Sequence, residues 1–506
     1  MSSFKKAAAA LLCLLMVLPA FAACSDDVQN PAETTMSEIQ AETTASANTE
    51  SETTLRSQVK DGVPADLTFN GAKVNVLHRD AQHLITHDVV GTDNSGDYVL
   101  DSVWYRNLTV EERLGIKFVF TKVSASGVTG TANAIRQIVM SDSSEFDYIS
   151  TTGNTVITQG MDIYMRDVSN MPFADYDSPW WWKGAMDAVS LDGKSYRYLF
   201  GDSMLYCYRQ TGVVYYNKAL YGDRFGNPDE MYDFVLNNTW TIDKLTELTE
   251  ACYADLNGNG IEDKGDRFGS LRTDTQKSEM QYFLAGFDLE MYHRNDQNAL
   301  VIKFDEARCA SAVEKLGKYN TATIGLFHSD KNIDGGSGTY FRERTSVFFP
   351  GRLYHVFGTF RTMDDPYGIL PYPKLTEDQE DYVSLISDSG SVLCVPLSVP
   401  ESRMNMVGAT LEAVNAQSWR SVMPLFLESA LKMKYSQDQM SGKVIDIVVA
   451  GLSKNTLYEL ADYSADIFEQ VLVNPAISGN NNFASNYQKY LTAAQTAWDS
   501  KVKSTK

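Results

Sequence analysis

The spacing of apolar residues predicts alternating strands and helices in the first half of the folded chain. Short runs of β-branched and aromatic residues, at residues 73–78, 116–123 and 146–150, are typical of buried strands. Between these runs, apolar residues recur at helical intervals over residues 97–114 and 132–140. Strands and helices that alternate in this way form a parallel sheet covered by helices, so we expect an α/β lobe here.

A second block of pattern begins at Gly212. Residues 213–216 form a short apolar and aromatic run, which predicts a buried strand that ends at Asn217. Thr241 has a side chain suited to a helix N-cap, and apolar residues follow it at helical spacing. The predicted helix leads into a loop rich in Asp, Asn and Gly at residues 255–266.

This polar loop has oxygen-bearing residues at the offsets of an EF-hand calcium loop. The candidate ligands are Asp255, Asn257, Asn259, the backbone carbonyl of Ile261, Asp263 and Asp266, with Gly260 at the sharp turn. A surface turn that binds no ion is the other interpretation. We favour one structural Ca²⁺, held weakly because the short Asp266 replaces the glutamate usual at the last position.

The order of these features resembles that of a known family. The strand with Tyr-Tyr-Asn-Lys, the Thr-Trp pair that opens a helix, the aspartate loop and the following Phe-Gly are similar to those of family 1 extracellular solute-binding proteins, the carbohydrate-type receptors of ABC importers related to maltose-binding protein. The resemblance implies an α/β, two-lobe type II periplasmic-binding-protein fold. Each lobe would be a mixed, mostly parallel sheet flanked by helices, and the C-terminal region would be helical.

The resemblance also implies domain limits and a function. Lobe 1 would span residues 65–211 with a return segment at about 368–410, and lobe 2 would span residues 212–367 with C-terminal helices at about 411–506. A carbohydrate, specifically an oligosaccharide, would bind between the lobes and favour the closed form. The closed form would dock on the membrane subunits of an ABC permease. The protein would be a monomer and not an enzyme.

The N-terminus has the pattern of an export signal. Basic residues precede an apolar run at residues 7–18 that is too short to span a bilayer. Small residues before Cys24 resemble a bacterial lipobox, which predicts a lipoprotein signal peptide at residues 1–23 and lipidation of Cys24; a plain secretory signal is the alternative. Residues 24–62 are rich in Thr, Ser and Glu and predict a disordered tether. We therefore expect an extracytoplasmic lipoprotein anchored to the cell membrane.

Charge and motifs exclude some functions. The net charge of −21 argues against nucleic-acid binding, which needs a basic face. The chain has no nucleophile elbow, HExxH or P-loop. Plentiful acids nevertheless keep a secreted carbohydrate-active enzyme open as an alternative, and a solute-binding scaffold used for sensing is another.

Cys207, Cys252, Cys309 and Cys394 are irregularly spaced, so we expect buried free thiols, although disulfides remain an alternative.

Candidate binding residues lie at strand ends and among aromatic side chains. The carboxyl ends of parallel strands deliver ligand contacts; loops that are only solvated are the alternative. Three consecutive tryptophans at residues 180–182 cannot all face one core, so we expect one to be exposed or to face a cleft; a packed corner between lobes is the alternative. Indole rings stack on the apolar faces of sugars. The candidates are Arg79, Thr152, Asn154, Trp181, Trp182, Asp202, Tyr208, Arg209, Arg352 and Tyr354, with Trp419 as a further one.

Overall fold

The computed structural model describes most of the chain after the predicted tether. The described residues are 56–79, 86–123, 125–141, 144–272, 276–289, 291–328, 337–387, 389–427, 439–454, 464 and 466–504. They belong to one unit, residues 55–506. The predicted signal peptide, Cys24 and most of the predicted tether lie outside the described residues. None of the helices in the described ranges is both long and apolar enough to cross a membrane.

The described residues contain eleven strands. They are β1 (Ala72–His78), β2 (Ile116–Lys122), β3 (Tyr148–Thr152), β4 (Gly212–Asn217), β5 (Phe268–Arg272), β6 (Tyr292–Arg294), β7 (Leu300–Ile302), β8 (Leu326–His328), β9 (Ser346–Arg352), β10 (Tyr367–Leu370) and β11 (Ser391–Cys394). They form a four-stranded sheet, a five-stranded sheet and a separate hairpin of β6 and β7.

Helices connect these strands and fill the C-terminal part. The α-helices are Thr86–Val89, Tyr98–Leu114, Gly127–Met140, Gly153–Val156, Lys183–Val189, Leu205–Arg209, Lys218–Phe225, Glu230–Leu236, Ile242–Cys252, Gln276–Gly286, Glu306–Ala322, Ser337–Arg342, Tyr354–Phe357, Met404–Gln417, Met423–Leu425, Gln439–Ala450, Asn474–Ser478 and Phe483–Ser504. Two π-helical turns, Ser418–Val422 and Glu469–Val473, interrupt the C-terminal helices. Part of the helix predicted over residues 457–471 lies outside the described residues.

The four-stranded sheet has the order β11-β3-β1-β2. β1 pairs in parallel with β2 and β3, as the alternation of strands and helices predicts, whereas β11 pairs antiparallel with β3. The third strand begins two residues later than predicted and extends to Thr152, because Thr151 and Thr152 pair with β11. The parallel pairing places the carboxyl ends of β1 and β3 at the same edge of the sheet.

The five-stranded sheet has the order β10-β4-β9-β5-β8. β4 runs antiparallel to both β9 and β10, while β5 runs parallel to β8 and β9. β10 pairs with β4 in this sheet, so the segment after residue 367 joins the first sheet only at β11. Two mixed sheets flanked by helices, with a helical C-terminal region, are the predicted fold class.

Local signals set the helix ends. Asp97 caps the helix Tyr98–Leu114 by accepting from Val99 N at 3.0 Å, and Gly115 ends that helix with φ 58°. Thr241 caps the helix Ile242–Cys252 by accepting from Lys244 N at 3.3 Å. These are helix ends that the sequence predicts.

The last residues of the predicted tether are held against the domain. The carboxylate of Asp61 pairs with Arg113 at 2.6 Å and with Arg420 at 3.0 Å. Gly62 N donates to Glu412 at 3.4 Å. Residues 56–62 therefore differ from the expected disordered tether, because the buried carboxylate of Asp61 has two partly buried cationic partners that composition alone does not reveal.

Candidate functional site

Side chains from the ends of β1 and β3 meet at one edge of the four-stranded sheet. Arg79 Nη1 donates to Thr152 Oγ1 at 2.5 Å, to Thr155 Oγ1 at 2.9 Å and to Asn154 Oδ1 at 3.3 Å. Asn154 Nδ2 donates to Ser389 Oγ at 3.4 Å, just before β11. We call these five residues the strand-end cluster. The structure thus brings the candidates Arg79, Thr152 and Asn154 together.

The five-stranded sheet contributes Arg352 from the end of β9. Arg352 Nη1 donates to Oε1 of Gln210, which is buried, at 2.6 Å. Gln210 follows the helix Leu205–Arg209 and lies two positions before the start of β4, where the chain leaves the first sheet. Thr211 bridges to Ile386 on the segment that returns toward β11. Gln210 therefore lies where the chain passes between the two sheets.

Tyr206 links the two halves of this site. Burial raises the pKa of Tyr206, and the positive charges of Arg352 and Arg79 act in the opposite direction. Both guanidinium groups therefore act electrostatically on the same phenol, although Arg352 ends β9 and Arg79 follows β1. Tyr354, which also acts on Tyr206, is 40% exposed.

Asp88 and Arg209 lie beneath Tyr206 and are buried. Asp88 Oδ1 accepts from Tyr206 N at 2.8 Å, and Oδ2 accepts from Ser391 Oγ. Burial raises the pKa of Asp88 to about 7. Arg209 Nη1 lies 3.2 Å from His87 Nδ1, and its guanidinium stacks on Phe357 at 4.9 Å from the ring centroid. The candidate Arg209 is thus packed under the site rather than directed across it.

His355 supports the backbone of Arg352. Its Nδ1 lies 3.0 Å from the carbonyl oxygen of Arg352 and 3.3 Å from the amide nitrogen. Burial lowers the pKa of His355 to about 4, so the imidazole is neutral at physiological pH. This neutral ring bonds the main chain at the end of β9. It therefore holds the backbone of Arg352 in place.

The three consecutive tryptophans are all buried, which corrects the expectation of an exposed ring. Trp180 packs on Trp419 with ring centroids 5.9 Å apart. Trp181 Nε1 donates to Glu412 at 2.7 Å, and Trp182 Nε1 donates to Asp202 Oδ1 at 2.7 Å. The segment is irregular there, so successive rings point in different directions and each finds its own partner. Trp181 is therefore a packing residue.

Trp182, Asp202 and Tyr208 line a cavity of about 220 Å³, which we call the aromatic cavity. Asp202 Oδ1 accepts from Tyr208 at 2.9 Å as well as from Trp182, and burial raises the pKa of Asp202 to about 6. The guanidinium of Arg56 lies over Trp419 at 5.1 Å, at the wall of this cavity. Two groups of predicted ligand residues are thus apparent. Arg79, Thr152 and Asn154 belong to the strand-end cluster, and Trp182, Asp202, Tyr208 and Trp419 line the aromatic cavity.

Sequence reasoning missed Tyr206, Gln210 and Ser389. Gln210 lies two positions before the apolar run of β4, and Ser389 lies in a Ser- and Gly-rich turn before β11. For Gln210 and Ser389 the available signal was their position, since each is a polar residue two positions before a strand. Their partners come from distant segments, so spacing could not connect them to Arg352 or Asn154.

The side chains of the predicted calcium loop form hydrogen bonds within the loop. Asp255 accepts from Gly258 N and from Gly260 N at 2.6 and 2.8 Å, and both glycines have positive φ. Asn257 and Asn259 donate to Asp263 at 2.9 and 2.6 Å. Asp266 is buried and accepts from the Tyr253 hydroxyl at 2.7 Å.

This geometry suits an oxygen-rich loop and leaves calcium a prediction. The sharp turn at Gly260 is the one such a loop needs. The two Asn amides would have to turn their oxygens inward to bind an ion. No group of three or more Asp, Glu, His or Cys side chains converges in the described part of the chain. Any ion would therefore rely on amide and backbone oxygens in addition to carboxylates.

Calcium should stabilise the wild-type protein more than the variant Asp263→Asn. At a calcium concentration ten times the dissociation constant, one site adds about 1.4 kcal/mol to the free energy of unfolding. The variant removes a charge at the centre of the loop, so its gain in melting temperature should be smaller. Thermal melts with calcium and with chelator measure both gains, and Asp233→Asn, at an exposed helix position, is the matched control. Equal gains in all three proteins would show that the loop holds no ion.

Comparisons with known proteins establish the fold. No protein-family model matches the sequence, and no curated protein matches it. An uncharacterised protein, lmo0859, from Listeria monocytogenes EGD-e has a similar structure, with a TM-score of 0.55, 9% identity and coverage of 84% of this chain and 100% of that one. The cyclic alpha-maltosyl-1,6-maltose binding protein from Arthrobacter globiformis is similar with a TM-score of 0.52, 13% identity and coverage of 86% and 100%.

These likenesses confirm the predicted two-lobe fold of solute-binding proteins. The identities are low, so the shared property is the arrangement of the chain. The Arthrobacter protein is named as a binding protein.

Proposed function

We propose that this protein is the extracytoplasmic substrate-binding component of an ABC importer and that it binds a carbohydrate between its two sheets. The observation that carries the proposal is that Arg352, from the five-stranded sheet, bonds Gln210 where the chain passes between the sheets, while Arg352 and Arg79, which bonds Asn154 at the end of the other sheet, both act on Tyr206. The described name of the Arthrobacter protein, which shares the fold, supports a carbohydrate as the ligand class.

The chemistry of the site suits hydroxylated rings. Guanidinium groups donate to hydroxyls and amide groups both donate to and accept from them in fixed directions, while tyrosine rings offer flat apolar faces. A ligand that bonds Asn154 on one side and Arg352 on the other makes its full set of contacts only when both sheets approach it. Such a ligand stabilises the closed arrangement by the free energy of those additional contacts.

The proposed setting is the outer face of a cell membrane. We infer that the signal at residues 1–23 directs export, that Cys24 is lipidated, and that the closed protein delivers its ligand to permease subunits. The N-terminal pattern and the resemblance of the Tyr-Tyr-Asn-Lys stretch support this setting. Mass spectrometry of the membrane fraction tests the anchor: an acylated N-terminal Cys24 is the expected result, and an unmodified N-terminus would contradict it.

Oligosaccharides should raise the melting temperature of the purified protein, and peptides should not. A ligand present at 100 times its dissociation constant adds about 2.7 kcal/mol of stability. Asn154→Ala should weaken the best oligosaccharide about threefold to tenfold in calorimetry, because it removes one hydrogen-bonding group from the site. Asn481→Ala, at an exposed position, is the control and should bind as the wild type does. A shift with peptides and none with glycans would contradict the carbohydrate assignment.

The alternative function of a carbohydrate-active enzyme makes a different prediction. Glycoside hydrolysis uses two carboxyl groups that flank the bond to be cleaved. Among the residues that the structure describes, the carboxylate that contacts this site is Asp88, and it is buried behind Tyr206 with its oxygens bonded to Tyr206 N and Ser391. Prolonged incubation with the bound oligosaccharide followed by chromatography should therefore return the oligosaccharide intact.

A further inference from the structure

Arg352 is a partly buried cation without a carboxylate beside it. Its side chain bonds the neutral amide oxygen of Gln210 at 2.6 Å, and no acidic residue in the described ranges forms an ion pair with it. Removing a guanidinium from water costs free energy unless charge or hydrogen bonds replace the lost hydration. One neutral amide oxygen satisfies one of its five donors. Within the described ranges, the other donors of Arg352 have no anionic partner.

The titratable groups around Arg352 do not provide the missing negative charge. His355, which contacts its backbone, has a pKa lowered to about 4 by burial and is neutral. Tyr206 has a pKa raised by burial, so its phenol keeps its proton. Asp88 is the carboxylate nearest to Tyr206, and its oxygens are taken by Tyr206 N and Ser391. The positive charges of Arg209 and Arg106 both act to lower the pKa of Asp88, so these two residues balance any negative charge on that carboxyl group.

A second cation approaches the same tyrosine from the other sheet. Arg79 acts on Tyr206 and is oriented by Thr152 and Thr155, whose hydroxyls accept from its Nη1. Arg209, below, faces Asp88 and Asp97. Among the residues that the structure describes, two guanidinium groups, those of Arg79 and Arg352, thus act on one phenol.

We infer that the ligand is an acidic carbohydrate whose carboxylate or sulfate ester is held by Arg352. This inference rests on the proposed function and names the ligand class of the same site. The planar fork of a guanidinium matches two oxygens of a carboxylate or a sulfate, and such charge-assisted pairs are stronger than neutral hydrogen bonds. Arg352 is the last residue of β9, the central strand of the five-stranded sheet, and its side chain bonds Gln210 between the two sheets. An acidic group bound to Arg352 therefore favours the closed arrangement of the sheets around the ligand.

Matched sugars test this inference. Oligosaccharides of glucose, of galactose and of mannose are each prepared in three forms that differ at C6: the neutral alcohol, the carboxylate and the sulfate ester. Calorimetry at low and high salt gives the affinity of each form. At least one acidic form should bind ten times or more tighter than its neutral parent, and salt should reduce that advantage. Comparing the carboxylate with the sulfate ester identifies which anion the site takes.

Variants assign the preference to Arg352. Arg352→Gln should lower the affinity for the acidic form about tenfold to a hundredfold, the range for a hydrogen bond to a charged group, and lower that for the neutral form much less. Arg361→Gln makes the same charge change at an exposed position on the following segment and should keep the preference. If Arg352 has a structural role alone, its loss lowers both affinities by the same factor, and this result overturns the inference.

The outcomes separate the inference from the function on which it rests. Neutral forms that bind as tightly as acidic ones overturn the acidic ligand class and leave the carbohydrate receptor intact. Binding by no form of any sugar overturns the proposed function itself, and the inference with it.

Discussion

Replacing Gly269 by alanine is expected to prevent stable folding of the five-stranded sheet. Gly269 lies in β5, between β8 and β9, and its N–H donates to Gly325 at 2.9 Å. A Cβ atom at this position would lie 1.8 Å from the carbonyl oxygen of Thr249, on the helix Ile242–Cys252. The obstacle is backbone, so it cannot rotate away, and the helix would have to leave the sheet. The expected loss exceeds about 3 kcal/mol, the upper end for overpacked cores.

Gly222→Ala provides the matched control. Gly222 lies in the helix Lys218–Phe225, and an added Cβ would meet Pro228 at 3.8 Å, an ordinary contact. Alanine there should be neutral or slightly stabilising, since it reduces the freedom of the unfolded chain. Soluble yield and urea unfolding followed by circular dichroism measure both variants. Cooperative unfolding of Gly269→Ala within 1 kcal/mol of wild type would contradict the close approach of this helix to β5.

Asp88 should make the protein less stable as the pH rises from about 4 to about 8, while His355, whose pKa burial lowers to about 4, acts in the opposite direction below about pH 6.5. Its pKa is 3.8 in an ordinary environment and about 7 when buried in this fold. In the folded state Asp88 therefore holds a proton that the unfolded state has released, so its contribution to stability is full below pH 4 and is lost as the pH passes through 7. A difference of this size corresponds to about 4 kcal/mol across the interval.

Asp88→Asn should flatten this dependence. The asparagine Oδ1 still accepts from Tyr206 N, and its Nδ2 donates to Ser391 Oγ, so the contacts of the protonated acid are kept. Urea unfolding at pH 5 and pH 8 measures the change in each protein. Asp202 and Glu412, whose pKa values are also raised by burial, still titrate in the variant, so part of the slope remains. An exposed control, Asp93→Asn, should keep the full slope, and an unchanged slope in Asp88→Asn would assign the effect elsewhere.

The elements that sequence predicts well are those set by neighbouring residues. Asp97 and Gly115 mark the ends of one helix, and Thr241 marks the start of another, because capping involves residues within a single turn. The same holds for β1 and β4, whose apolar runs are short and bounded by polar residues. Each signal lies inside the element that it defines.

The candidate site depends on contacts that no local pattern contains. The register of β1 against β3 brings Arg79 to Asn154, and the antiparallel pairing of β4 with β9 brings Arg352 to Gln210. The aromatic candidates were separated from these residues for the same reason. Trp181 is buried and donates to Glu412 of a distant helix, a contact that no local pattern predicts.

The burial of four cysteines has a practical consequence for measurements of the distance between the two sheets. Cys207, Cys252, Cys309 and Cys394 are free and buried, as the irregular spacing predicts. Burial raises the pKa of the last three thiols to about 12, so they remain protonated and react slowly with maleimides. In the protein from Arg56 onward, a pair of cysteines introduced on exposed loops would react first. Fluorescent dyes attached to such a pair would report the distance between the sheets in single molecules without removal of the native thiols.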